Sequence, residues 1–332
     1  MAVTDAIAAP ASTQARARLF DRIPYFVPAL AVLTGLVVTN IILDPGFVTR
    51  NGWQVAVTSA APLVVMAMAM TPPILAGGGG IDLSVGPSAG LISVLIAGVL
   101  APRGLTNSVV LAAVAIGAGC VAGTVNGFLV TSVRVSPIIA TLSTYLVFSG
   151  LATQIMPTPG GVVPGGIASL SGKSGPIPNA IFVVLGVAAL WLLLIRTAYW
   201  RNLVAVGSND RAAFTAGVSV ARVRFSSFIL SGALAGVGGI MLTAVLGGAD
   251  ATVGPTYTLT AIAGAAVGGV SLLGGRGGML GAAAGGATLF LIQNVLTFVQ
   301  VSSFALDVAY GVVLVAAIVL NGGWDHLRLR SE

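Results

Sequence analysis

The chain has 332 residues, of which 56% are hydrophobic and only 7% charged, with a formal net charge of +6. A soluble domain carries roughly a quarter charged residues, so this composition excludes a water-soluble fold and identifies an integral membrane protein. One cysteine (Cys120) and one histidine (His326) exclude an intrachain disulfide, a multi-thiolate metal site and a Ser-His-Asp or Cys-His catalytic centre inside the membrane.

A membrane-spanning helix needs about 20 mostly apolar residues. Residues 1–24 carry Arg16, Arg18 and Arg22 and precede the first apolar stretch, 25–43. No small-x-small cleavage site ends that stretch, so it reads as a retained helix and not as a removed signal peptide. The second stretch, 55–76, runs into Gly77-Gly78-Gly79-Gly80-Ile81-Asp82-Leu83-Ser84-Val85-Gly86, and the third is 84–101. Asp82 is the only acidic residue between Asp44 and Asp210. Bare backbone and a carboxylate between two spans are tolerated only when buried in protein or lining a water-filled path. The expectation is a backbone turn, capped by Asp82 and Ser84, that shapes the inner mouth of a path.

The next apolar stretches are 108–130, 138–156 and 179–195. Gly172-Lys173-Ser174 resembles the end of a phosphate-binding loop, but the glycine required five residues earlier is Ile167, so it is not one. Segment 196–224 is the longest polar connection. Asn209 is placed to cap a short helix over 210–216, Asp210 suits its first turn, and Gly217 ends it. Ala212, Ala213 and Ala216 give that helix a smooth face and Phe214 one apolar knob, which suits docking into a groove on another protein. The remaining stretches are 224–246, 257–273, 279–299 and 303–321, with a basic tail over 322–332.

With ten spans and both termini on the cytoplasmic side, twelve of the Lys and Arg residues fall inside, and only Arg50, Arg103 and Lys173 outside. That asymmetry is the one the positive-inside rule predicts, and it also accounts for the basic charge without a nucleic-acid partner. Glycines recur at helical spacing: Gly119, Gly123 and Gly127; Gly232 and Gly236; Gly264 and Gly268; Gly277, Gly281 and Gly285. Small residues at such spacing let helices pack closely. The fold class is thus an all-α, glycine-rich bundle of about ten transmembrane helices. Its domains are a cytoplasmic N-terminal segment, 1–24, one transmembrane domain, 25–321, with a cytoplasmic loop at 196–224, and a cytoplasmic tail, 322–332.

Charge inside the spans is scarce, with Asp82 and Asp307 the only candidates. A path lined by small residues, Ser, Thr, Asn126 and Asn294 suits a neutral polyhydroxylated solute better than an ion. No nucleotide, cofactor or metal site is legible, so transport needs a gradient or a separate ATPase. On residues alone a gradient-driven carrier or facilitator, with Asp82 as its ion site, stays open. A membrane enzyme would need a cluster of catalytic groups that the chain does not offer.

Gly79-Gly80-Ile81-Asp82-Leu83-Ser84-Val85-Gly86 resembles the signature of ribose/xylose-type ABC importer permeases. Similar in turn are Val125-Asn126-Gly127 with Pro137-Ile138-Ile139-Ala140-Thr141-Leu142, then Gly207-x-Asn209-x-x-Ala212-Ala213-x-x-x-Gly217-Val218, Ser231-Gly232-Ala233-Leu234-Ala235-Gly236, and Gly274-Gly275-Arg276-Gly277. The resemblance runs in order from about residue 25 to 321. It implies a multi-pass subunit of a bacterial inner membrane that imports a neutral monosaccharide and is not itself an enzyme. It further implies a second permease subunit (identical or a paralogue), a periplasmic sugar-binding protein and a cytoplasmic ATPase. The ATPase would grip the helix marked by Gly207, Asn209, Arg211, Ala212, Ala213, Phe214 and Gly217. Gly79, Gly80, Asp82, Ser84, Asn126 and Asn294 would line the path or its inner mouth. Thr258 and Thr260 stand in a stretch where the family often has an acidic residue, so no charged role carries over there.

Overall fold

The structure, a computed structural model, describes residues 27–302 together with 305, 308, 309, 311, 312, 315 and 316. The two terminal segments, 1–24 and 322–332, and most of the stretch 303–321, with Asp307, lie outside the described residues.

Apolar runs become helices because a chain in lipid must satisfy its backbone polar groups within itself. In chain order these are α1 (Val27–Leu43), α2 (Arg50–Leu75) and α3 (Val85–Val94), the last prolonged by a π-helical turn, Leu95–Leu100. Then come α4 (Ser108–Thr131), α5 (Pro137–Ile155) and the one-turn α6 (Gly165–Ala168). A two-stranded hairpin, β1 (Lys173–Ser174) and β2 (Ile177–Pro178), pairs Lys173 with Pro178. It leads into α7 (Ala180–Leu194), α8 (Ala198–Ser208) and α9 (Asp210–Thr215). The chain continues as α10 (Val220–Leu246), α11 (Val253–Val267) and α12 (Met279–Phe298). Capping is local and chemical. Thr49 accepts the Gly52 N–H at the start of α2, and Asn107 accepts those of Val109 and Val110 at the start of α4.

Five of these helices, α2, α4, α5, α10 and α12, are long and apolar enough to cross a membrane alone. A sixth crossing results if α7 and α8, bent by 82°, are counted together. α1, α3 with its π turn, and α11 are apolar but shorter. The molecule is thus an all-α, multi-pass membrane protein. Each apolar stretch from 25–43 to 279–299 holds a helix, with two adjustments. The eighth lies earlier than its hydropathy suggests, at Val253–Val267, because Gly268 and Gly269 break the helix and the chain loops to Gly278. The 196–224 connection holds a second helix, α8, beside the expected short one, and α10 starts four residues before 224.

α2 and α10 form the inner layer. In α2 the most apolar stretch is 78% buried, against 22% in α4 and in α5, whose remaining surface faces outward. α4 crosses α10 at the closest approach. A Cβ added at Gly119 would strike the carbonyl of Gly232, and one at Gly232 would strike that of Gly119. Gly123 and Gly236 meet the backbone of Phe228 and Ala115 in the same way. Backbone on backbone at this distance maximises dispersion contact, the main attraction between helices that lipid cannot squeeze together. Gly277, by contrast, is in the loop before α12 and not on a helix face.

Candidate functional site

The connection between α2 and α3 is tightly constrained. Gly77, Gly78 and Gly79 all have positive φ (67°, 63° and 73°), a conformation that costs L-residues energy and glycine nothing. The turn is also wedged. A Cβ on Gly77 would lie 2.9 Å from the Cα of Gly207 in α8, and one on Gly274 would lie 2.6 Å from the Cα of Gly77. The Gly275 N–H donates to the carbonyl of Leu75 at 3.1 Å. Gly79 is exposed and faces open space, whereas Gly80 is buried against the Pro73 carbonyl.

Beyond Gly80 the chain turns back into the bundle and buries Asp82 to 1% exposure. Its Oδ1 accepts from the Ser84 backbone N–H (3.0 Å), the Ser84 hydroxyl (2.7 Å) and Asn126 Nδ2 (3.3 Å). Its Oδ2 accepts from the Ser231 hydroxyl at 2.9 Å. Asn126 Nδ2 also donates to Ser84 Oγ (2.7 Å), and its Oδ1 accepts from Thr144 (2.7 Å). The chain Thr144 to Asn126 to Ser84 to Asp82 therefore runs in one donor direction and fixes the Asn126 amide orientation. Thr141 and Thr258 donate to the neighbouring carbonyls of Ile81 (3.2 Å) and Leu83 (3.4 Å). Residues of α4, α5, α10 and α11 thus converge on the four residues Ile81 to Ser84 at the end of the loop. Every contact on the carboxylate is a donor and none is a cation, so hydrogen bonds alone offset its desolvation. The expected cap is present at Asp82. The Ser84 hydroxyl, however, makes no cap bond to α3, because it is spent on Asp82.

The second cluster is the 198–217 connection, at the same end of the bundle as Gly77. Asn209 caps α9 by accepting the Ala212 N–H at 3.0 Å, and Gly217 ends it at φ 85°. Phe214 is 69% exposed, and Arg211 and Ala212 are exposed beside it. Ala213 is only 5% exposed and anchors α9 to the bundle instead of facing outward. Gly207 likewise serves packing, since a Cβ there would strike the Leu75 carbonyl and the Gly275 nitrogen. A cavity of about 540 Å³ opens between Phe214, Arg134, Ser136, Ser219, Gly78 and Arg224. Arg224 Nη2 pairs with Asp210 of α9 at 3.1 Å and its Nε donates to the Ala76 carbonyl at 3.4 Å. With 23% and 48% of the two side chains exposed, the ion pair contributes about 0–1 kcal/mol to stability.

Asn294 is not part of the Asp82 cluster. Its Nδ2 donates to Asn40 Oδ1 at 2.8 Å, tying α12 to α1, while Asn40 donates to the Leu36 and Leu291 carbonyls. Sequence reasoning missed Thr144, Ser231, Asn40 and the Asp210–Arg224 pair. For Arg224 a signal existed, since it falls two helical turns before Ser231 on the same face of α10. Among the described residues no group of three or more His, Cys, Asp or Glu could hold a metal ion.

A family model described as "branched-chain amino acid transport system / permease component" matches residues 55–320. Among curated proteins, the ribose import permease protein RbsC of Bacillus subtilis (strain 168) is 36% identical over 86% of this chain and 89% of its own. The autoinducer 2 import system permease protein LsrC of Enterobacter sp. (strain 638) is 34% identical, over 92% and 88%. The ribose import permease protein RbsC of Escherichia coli (strain K12) is 33% identical, over 88% and 91%. No solved structure matches the chain.

Proposed function

The chain belongs to the branched-chain amino acid transport system permease family, and from that membership we propose that it is the membrane subunit of an ATP-binding-cassette importer for a neutral monosaccharide of the ribose type. The observation that carries the reading is the 36% identity to a ribose import permease across nearly the whole of both chains. The chain is a transport subunit and not an enzyme. Hydrolysis belongs to a separate cytoplasmic ATPase, and a periplasmic binding protein delivers the sugar. Ten spans with both termini in the cytoplasm, across a bacterial inner membrane, agree with the Lys and Arg distribution. A second permease subunit completes the path. One permease domain, 25–321, does this work between the short cytoplasmic ends.

Gly79, Gly80, Asp82, Ser84 and Asn126 form the inner mouth of the path. Gly79 is the bare surface, and the buried hydrogen-bonded groups behind it hold the wall in shape. Asn294 serves instead as a tie between α1 and α12. Asn294→Leu is expected to cost about 1 kcal/mol of stability, the usual size of an interhelical polar contact in membranes. Thermal unfolding in detergent reads that loss, and the apparent affinity for sugar in uptake stays unchanged.

Helix α9, displayed by Asn209 and Gly217 and with Arg211, Ala212 and Phe214 outermost, is the ATPase contact. Ala212→Glu combined with Phe214→Ala is expected to reduce recovery of the ATPase with the affinity-tagged permease at least tenfold, with membrane insertion intact. Full recovery would remove α9 from the interface. The function as a whole is tested in proteoliposomes holding permease, ATPase and binding protein. ATP-dependent accumulation of labelled ribose is the expected result. Uptake by the permease alone, driven by a proton or sodium gradient, would overturn it.

A further inference from the structure

The turn that carries Asp82 is held at both ends by one face of α10. Arg224 reaches its start, donating to Ala76, and its guanidinium lies over Gly78, where a Cβ would be 2.6 Å from Nη2 and would have to displace it. Ser231 reaches its end, donating to Asp82. The two residues are seven apart, about 10 Å along the helix and within about 20° of the same azimuth. The other arm of Arg224 goes to Asp210, the first residue of α9. One side chain therefore touches both the outward-facing helix and the loop with the buried carboxylate.

At the base of the turn the packing is tight. The last turn of α8 presses Gly207 onto Gly77, and Gly274 closes on Gly77 from a third direction. Close-packed backbone leaves little room to absorb a displacement, so the base of the turn follows α8, while Arg224 bridges the cavity between α9 and the turn. The glycines supply the complementary property. Beyond the wedged Gly77, Gly78 and Gly79 have no side chains to clash, so the far part of the turn can change its dihedrals at low cost.

We propose that Arg224 is the positioning residue that transmits movement of α9 to the Asp82 turn and so ties ATP hydrolysis to opening of the inner mouth. The proposal rests on the reading that the ATPase docks on α9. Its weakness as an ion pair is part of the case: with 23% of its side chain exposed, Arg224 is held between α9 and the turn, where it steers geometry more than it stabilises.

The test measures ATP hydrolysed per ribose accumulated by the reconstituted importer carrying Arg224→Gln. Expected are ATPase recovery with the permease and hydrolysis both within twofold of the unmodified importer. Uptake falls at least tenfold, so the ATP-to-sugar ratio rises about fivefold or more. Arg224→Lys keeps the charge opposite Asp210 but gives up the fork that reaches Ala76 as well, and gives an intermediate ratio. An unchanged ratio in Arg224→Gln, whether uptake is normal or falls together with hydrolysis, overturns the proposal. So does loss of the ATPase from Arg224→Gln, which would make Arg224 a docking residue. Should Arg224→Gln not fold, the Lys variant decides alone: a raised ratio supports the link and an unchanged one removes it. Failure of the docking reading is separate, since it appears as full ATPase recovery by the Ala212→Glu, Phe214→Ala chain.

Discussion

In the Asp82→Leu variant, ATP-driven uptake of the proposed sugar is expected to fall at least a hundredfold, and the purified chain is expected to lose several kcal/mol of stability. Leucine roughly fills the volume but accepts nothing. The Ser84 N–H, the Ser84 and Ser231 hydroxyls and the Asn126 amide are then left with one fewer acceptor at a buried site. Each buried donor without a partner costs about 1–3 kcal/mol. Some hydroxyls can turn to their own helix carbonyls, so the total is less than the sum. Asp82→Asn separates geometry from charge. Its oxygen can still accept from Ser84, and its amide can donate to Ser231 Oγ, so it retains a measurable fraction of uptake. Chemical unfolding in detergent and initial uptake rates read both variants. Wild-type behaviour of Asp82→Leu would mean that the cluster neither holds the mouth nor stabilises the bundle.

The second large effect is expected at the crossing of α4 and α10. Gly232→Leu places a Cβ against the carbonyl of Gly119 and 2.8 Å from the nitrogen of Gly123. Backbone cannot rotate out of the way as a side chain can, so the two helices must part along their whole contact. The result is loss of the monodisperse species in size-exclusion chromatography, not a graded fall in activity. Gly186→Leu on α7 is the control: a Cβ there meets nothing within 4 Å, and the protein stays folded and active. A folded Gly232→Leu chain would mean the helices are less tightly apposed than described.

Hydropathy made most of the helices legible, since apolar length is what lipid selects. It failed where length and polarity disagree. α8 holds Arg201, Asn202 and Ser208 among apolar residues, so it read as loop, although its buried Leu203 and Val206 pack into the core. The glycine run announced a special turn because glycine and a carboxylate are both out of place between spans. Its partners stayed hidden because they are distant in sequence. Asn126 and Asn294 look alike in the sequence, each an asparagine in an apolar helix, yet one meets Asp82 and the other Asn40. Only the three-dimensional neighbour distinguishes them. On α9 the residue types pointed to a displayed helix, but not that Ala213 turns inward while Phe214 turns outward.

The Asp82 cluster also sets a timetable for the protein's birth. Ser84, Asn126 and Thr144 emerge from the ribosome within about sixty residues of Asp82, but Ser231 follows it by 149. At roughly 5–20 residues per second, that interval is about 7 to 30 s. Throughout it the carboxylate lacks the hydroxyl that Oδ2 accepts from, and the cost of burying it is correspondingly higher. The first half of the chain thus has reason to keep Asp82 near the water interface until α10 is made. Insertion of α10 then completes the donors to the carboxylate, before α11 and α12 finish the bundle.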